Sequence, residues 1–293
     1  MGRILPYLLL AGAALSSGCA LPFGYRLMSP EAALIYQPTV YPGGEWNPKG
    51  LKYEEANFVS ADGTKLHGWY CPAENPRGVV LFAHGHEGNL THSRGRVRVM
   101  QEELNLSVLI FDYRGYGKSG GVPTERGLLA DARAARGWLA EKAGVAEHDI
   151  VLIGRSLGGG VMVDLAANDG ARGLVLESTF TSLPDVAATQ FRYSPVRLLM
   201  LGKLDSWAKI GQYKGPLLQA HAEDDTLIPI TQAKELFEAA NTPKQFIEIP
   251  DAGHNWLPMP DYVKKLDRFI ASLPPASSAS SATLPAGSSD DVR

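Results

Sequence analysis

Short unbroken apolar runs alternate along the chain with longer stretches of helical periodicity. Val79-Val80-Leu81-Phe82-Ala83 is the clearest run, and it lacks the polar alternation of a half-exposed strand. It therefore reads as a strand buried on both faces. Residues 107–111, 150–153, 173–176, 216–220 and 245–249 repeat the pattern. Between them, apolar positions recur at helical spacing over roughly 92–104, 124–143, 157–168, 231–240 and 259–272. Strands alternating with helices predict an α/β fold with a mostly parallel central sheet and helices on both faces. Ahead of it, 56–60 and 65–70 flank Asp62-Gly63, a pair suited to positive φ, and predict a hairpin. No internal repeat is present. In a sheet of this kind ligands bind beyond the carboxyl ends of the strands. Candidate functional residues are therefore sought directly after each strand.

The two ends depart from this pattern. Behind Arg3, Ile4 to Leu15 is apolar but too short to cross a bilayer comfortably. It leads into Leu15-Ser16-Ser17-Gly18-Cys19, which resembles a bacterial lipoprotein box with the leucine one position further from the cysteine than usual. A lipidated Cys19 would hold the protein at a membrane surface. An ordinary cleaved signal and an uncleaved anchor are the alternatives, and all three place the domain outside the cytoplasm, in the cell envelope. Ala20 carries no acidic retention signal, which favours the outer membrane in a double-membrane bacterium. Residues 20–50, with Pro22, Pro30, Pro38, Pro42, Gly43, Gly44 and Pro48, read as an extended connector laid over a domain spanning 51–273. Residues 274–293, rich in Ser, Ala and Pro, read as a disordered tail.

Composition narrows the class. The chain has 293 residues, 45% hydrophobic and 20% charged, with a formal net charge of −3. That balance is globular and gives no reason to expect nucleic acid as a partner. Arg94, Arg96 and Arg98 read as a solvated helix face. With Cys19 in the leader, Cys71 has no disulfide partner and reads as a packed or surface thiol. A monomer is expected.

The candidate chemistry follows the strands. Gly154-Arg155-Ser156-Leu157-Gly158 comes directly after an apolar run and opens a helix of small residues, the context a nucleophile elbow requires. A serine hydroxyl needs a base. His254, in Ala252-Gly253-His254-Asn255 after the last strand, is placed to be one. His67, His92 and His148 read as surface residues, and His221 as a buried packing residue. The orienting acid belongs between serine and histidine, where Glu223, Asp224 and Asp225 compete. For the developing oxyanion, the backbone N–H of Leu157 is one donor. The N–H of His86, in His84-Gly85-His86-Glu87-Gly88-Asn89, is the other. The His84 ring reads as a brace beneath this loop. A metal reading of His84, His86 and Glu87 is the lesser alternative, and neither metal nor cofactor is expected.

Taken with Phe111-Asp112-Tyr113-Arg114-Gly115-Tyr116-Gly117-Lys118-Ser119, these motifs resemble the α/β-hydrolase fold over about residues 55–272. In style they are nearest the serine-aminopeptidase-like branch with its small membrane-associated depalmitoylase-type members. The resemblance favours Asp225 over Asp224, because the family acid precedes x-x-Val/Ile-Pro and Ile228-Pro229 stands at that spacing. It also implies a short lid over about 177–215, where Phe191, Tyr193, Leu198 to Leu201 and Trp207 supply apolar surface. Trp256 stands beside the base, and Glu177 reads as a structural hydrogen-bonding residue. The implied activity is cleavage of a small-molecule acyl ester or thioester by a serine–histidine–aspartate triad. A peptidase, an acyltransferase and a catalytically silent envelope lipoprotein are the alternatives.

Overall fold

A computed structural model describes residues 28–190 and 200–277. Residues 1–27, including Cys19, residues 191–199, including Phe191, Tyr193, Leu198 and Leu199 of the expected lid, and the tail from 278 lie outside the described residues. Strand β1 is Gln37–Pro38; β2 (Glu54–Val59) and β3 (Lys65–Cys71) form the expected hairpin. Then come β4 (Val79–Ala83), β5 (Glu87–Gly88), β6 (Ser107–Asp112), β7 (Val151–Arg155), β8 (Gly173–Glu177), β9 (Leu217–Ala222) and β10 (Lys244–Ile249). Among the described residues, eight strands form one sheet in the order β10-β9-β8-β7-β4-β6-β3-β2. Every pairing from β6 to β10 is parallel, and β3 runs antiparallel to both β6 and β2.

The helices are α1 (Pro30–Ile35), α2 (Arg94–Arg98), α3 (Glu125–Ala143), α4 (Leu157–Asp169), α5 (Leu183–Gln190), α6 (Ser206–Ile210), α7 (Ile230–Ala239) and α8 (Pro260–Ser272). Alternating side chains of the central strands feed two cores. Leu81 and Ala83 face Leu128 of α3 and Val161 of α4, while Val80 and Phe82 face Val97 of α2 and Phe269 of α8. The apolar runs are unbroken because both faces are covered. Helices α5 and α6 lie in the segment between β8 and β9.

Three local readings change. The helix expected over 92–104 is broken into a 3-10 turn (Leu90–Ser93), α2 and a π turn (Val99–Glu103). Pieces this short owe their form to tertiary contacts more than to propensity. The connector is not simply extended. Ser29 caps α1 with Pro30 at its first turn, and β1 pairs in parallel with β5. The first tail residues are bonded to the domain: Arg172 Nε donates to Pro274 O (2.7 Å) and Ser277 N to Asp149 Oδ1 (3.0 Å).

The 112–119 loop is fastened by charge. Arg114 Nη2 meets the fully buried Asp131 of α3 at 2.7 Å, and its Nη1 meets Asp62 of the hairpin turn at 2.7 Å. Removing the Asp131 charge leaves the buried guanidinium with only the exposed Asp62 as counter-ion, at a cost of about 3 kcal/mol. Asp131→Asn is therefore expected to lower the unfolding free energy by that amount, read as a lower urea midpoint with an unchanged slope, and an unchanged midpoint would show the pair to be idle.

Candidate active site

The elbow between β7 and α4 carries Ser156 at φ 52° and ψ −118°, a conformation that L side chains rarely adopt. Close packing enforces it. A Cβ on Gly154 would stand 2.3 Å from Gly158 O, and one on Gly158 would stand 2.1 Å from Ala83 O. Only glycine lets α4 pass that near β4 and β7. Ser156 N donates to Glu177 O (2.8 Å) and Thr179 Oγ1 donates to Ser156 O (3.0 Å), so the turn is also held from β8 and the residues beyond it.

The structure brings the three sequence candidates together. His254 Nε2 lies 3.1 Å from Ser156 Oγ, and His254 Nδ1 lies 2.7 Å from Asp225 Oδ2. Asp225 is buried and meets His254, while Asp224 is exposed. The Asp225 carboxylate also accepts the N–H groups of Leu227 and Ile228, each at 2.9 Å, through Oδ1. His221 Nε2 donates to Ile228 O (2.8 Å) and stands 3.3 Å from Asp225 Oδ2. Burial alone would raise the Asp225 pKa. The hydrogen bonds from His221 and His254, the His254 charge and the Ile228 N–H outweigh it and hold the carboxyl well below its usual range. With Asp225 ionised, the hydrogen bond assigns the proton of neutral His254 to Nδ1 and leaves Nε2 facing the serine as acceptor.

The loop after β4 lies against the serine, since a Cβ on Gly85 would be 3.6 Å from Ser156 Cβ. His84 braces it as expected. Its Nδ1 meets Gly85 O at 2.8 Å, and its ring sits 4.6 Å from that of Tyr113 and 5.4 Å from that of Tyr116. The two tyrosine hydroxyls donate to His84 O (2.9 Å) and His86 O (2.7 Å). Among the described residues, no hydrogen bond uses the backbone N–H of His86 or of Leu157. Burial, and then the charges of His254 and Arg155, push the His86 imidazole down to about 4, so its ring is neutral. No group of three or more His, Cys, Asp or Glu among the described residues is arranged to hold a metal ion.

The serine aminopeptidase (S33) family profile matches residues 74–209. An uncharacterized protein of Mycobacterium tuberculosis is 36% identical over 231 residues, covering 78% of this chain and 82% of its own. The Arabidopsis thaliana α/β hydrolase domain-containing protein WAV2 is 33% identical over 229 residues, covering 71% and 74%. The chain belongs to the α/β-hydrolase superfamily. An esterase of Pyrococcus furiosus shares the fold at 22% identity, with a TM-score of 0.68 over 82% of this chain and 98% of that one.

In this α/β hydrolase, a buried polar cluster that the sequence did not reveal holds the His254 loop. Arg96 of α2 is buried, not solvated as expected, because its Nη1 meets Glu177 Oε2 at 2.6 Å, its Nη2 donates to Trp256 O, and its guanidinium stands 4.7 Å over the Trp256 ring. Tyr262 OH donates to the other Glu177 oxygen (2.5 Å), and Trp256 Nε1 donates to Ser178 Oγ (2.8 Å). Arg155, inside the elbow motif, donates from Nη2 to His254 O (2.9 Å) and Asn255 Oδ1 (2.7 Å). No sequence signal joins Arg96 to Glu177 across 81 positions; only the strand-end placement of Glu177 pointed to a structural role. His67 is likewise buried, not exposed as expected. It bonds Glu55 through Nε2, stands 3.6 Å from Asp112 through Nδ1, and is covered by Trp46 at 5.6 Å between rings. Cys71 is a packed thiol, and burial pushes its pKa to about 12.

The lowered Asp225 pKa fixes a pH dependence. A carboxyl held below its unfolded value stabilises the fold above that value, near 3.8, and the stabilisation is lost as pH falls toward the folded value. The stability gap between wild type and Asp225→Asn, about 2–3 kcal/mol for lost hydrogen bonds to a charged group, should be full above pH 4 and close below it. Urea unfolding across pH 2.5–6 checks this, and a gap that stays constant over that range would contradict it.

Proposed function

We propose that the protein is a serine hydrolase that cleaves carboxylic ester or thioester bonds through an acyl-enzyme on Ser156. The observation that carries this reading is the continuous contact Ser156 Oγ–His254 Nε2 and His254 Nδ1–Asp225 Oδ2, at 3.1 and 2.7 Å. Ser156 attacks the carbonyl carbon while His254 takes its proton. Asp225 holds the imidazole in the competent tautomer and stabilises the imidazolium without itself taking the proton. The His86 and Leu157 N–H groups receive the oxyanion, each contributing roughly 3–4 kcal/mol to the barrier reduction. His254 returns the proton to the leaving alcohol or thiol, and water, activated by the same base, releases the acid.

The substrate proposed is a small acyl ester or thioester, met at a membrane surface to which lipidated Cys19 tethers the domain. Exposed Leu257, three residues past the base, and exposed Leu201 and Trp207 on the lid segment supply apolar surface of the kind an acyl substrate needs. The peptidase reading needs an acidic or shaped pocket for a substrate's free amine. An open cavity of about 710 Å³ beside α5 and α7 does hold Asp185, Asp205 and Glu235. Two of these are already engaged: Asp185 accepts the Thr181 and Ser182 hydroxyls (2.8 and 2.6 Å), and Asp205 caps the Ala208 N–H (3.0 Å). The lining of that cavity includes none of Ser156, Asp225 and His254, which favours the esterase reading.

A fluorophosphonate probe should label the wild-type domain and leave Ser156→Ala unlabelled, while a panel of nitrophenyl esters of rising chain length should be hydrolysed in preference to aminoacyl-nitroanilides. His254→Ala should lower kcat by roughly 10³-fold or more. Absence of labelling would leave a silent envelope protein. Preference for anilides would leave a peptidase.

A further inference from the structure

The segment preceding the sheet domain reaches the oxyanion loop directly. Gln37 N donates to His86 O (3.1 Å) and Thr39 N to Gly88 O (2.7 Å), which is the parallel β1–β5 pair. Asn89, buried to 1% exposure, fastens the same two segments. Its Nδ2 donates to Thr39 O (3.0 Å) and Gly43 O (2.8 Å), while its Oδ1 accepts from Thr91 N (3.1 Å) and Thr91 Oγ1 (2.6 Å). Gly117 then clasps the strap from outside: its N–H donates to Thr39 O (3.1 Å) and its carbonyl accepts from Tyr41 N (2.8 Å).

The oxyanion loop needs this support. It contains Gly85 and Gly88, the latter at φ 83°, so its own side chains restrain the backbone weakly. The His86 carbonyl is held by two donors, Gln37 N–H and the Tyr116 hydroxyl. Between that carbonyl and the N–H of the same residue lie only the two torsions of His86. Fixing one therefore restricts the other. Hydrogen-bond donors act on a transition state only when preorganised, and a misplacement of about 1 Å can cost roughly 100-fold in rate.

We propose that the strap Tyr36–Gly43 is a positioning element of the oxyanion hole, with Asn89 as its fastener. This rests on the serine-hydrolase reading above. The strap contributes no reacting atom. It acts by aiming the His86 N–H, so the upstream chain is a working part of the site and not a passive connector.

Two variants of the full-length chain test this on a short nitrophenyl ester. Gln37→Pro removes the N–H that holds the His86 carbonyl. Proline is tolerated at the first residue of a strand, and Tyr36 before it is already extended at φ −101° and ψ 121°. Asn89→Asp keeps the Oδ1 acceptor for Thr91 and removes the two donors to the strap. Each should lower kcat by roughly 10- to 100-fold with KM held within about twofold, the uniform-binding pattern being spared. Affinity for a trifluoromethyl ketone, whose tetrahedral adduct places an oxyanion in the hole, should fall in parallel with kcat. The pH profile of kcat/KM should not move, because His254 and Asp225 are untouched. Retention of kcat in either folded variant would overturn the proposal, as would joint loss of kcat, KM and the pH profile. Should Asn89→Asp fail to fold, Gln37→Pro decides alone. A wild-type chain that neither hydrolyses esters nor takes up a fluorophosphonate would instead sink the parent reading.

Discussion

The approach of α4 to the sheet at Gly154 and Gly158 is the constraint on which the site depends. Two backbone segments pass so near each other there that a single methyl group on either glycine would collide with a carbonyl. The chain leaves β7 and must reverse within one residue to start α4, and Ser156 is the residue that absorbs the turn at φ 52°. A strained side-chain position of this kind survives only when its surroundings over-determine it. Here they do, through the Ser156 N–H to Glu177 O and the Thr179 hydroxyl to Ser156 O.

Around that fixed serine, three parts of the chain converge, each held by polar groups that have been taken out of water. The Asp225 loop after β9 is ordered by its own backbone, with two N–H groups on Asp225 Oδ1. The His254 loop after β10 is held by Arg96 and Arg155, which bond its carbonyls at Trp256 and His254. The loop after β4 is held by tyrosine hydroxyls beneath it and by the β1 strap beside it. Charges buried in this way are costly unless paired. The pairing of Arg96 with Glu177, with Tyr262 on the second oxygen, offsets that cost and leaves few alternative arrangements for the loops. In the proposed reaction this rigidity supplies preorganisation, since little needs to move as charge develops.

What the sequence made legible is what local geometry encodes. The unbroken apolar runs require strands covered on both faces, and the parallel sheet follows. The elbow is legible because its glycines are needed within five residues of one another, and His254 because it directly follows the last strand. Asp225 was separated from Asp224 only by the resemblance to a family, since both are carboxylates after the same strand; the structure separates them by burial. Arg96 read as a solvated helix residue because nothing nearby in the chain pairs with it, its partner standing 81 positions on. His67 read as exposed because its cover, Trp46, comes from the connector. The connector's prolines and glycines signal the absence of regular structure, and they carry no information about which backbone groups are left free to bond a distant loop. Residues 1–27, where a signal is expected, and 191–199, within the expected lid, lie outside the described residues.

In the proposed reaction Ser156 becomes acylated during turnover. Intact-protein mass spectrometry of wild type quenched within milliseconds of mixing with a nitrophenyl ester reads this directly, with peptide mapping to place the adduct. The expected result is a single added acyl group on the peptide containing Ser156, formed as fast as the first equivalent of nitrophenol and absent from Ser156→Ala. Product release without any adduct on wild type, or an adduct on a different residue, would contradict it.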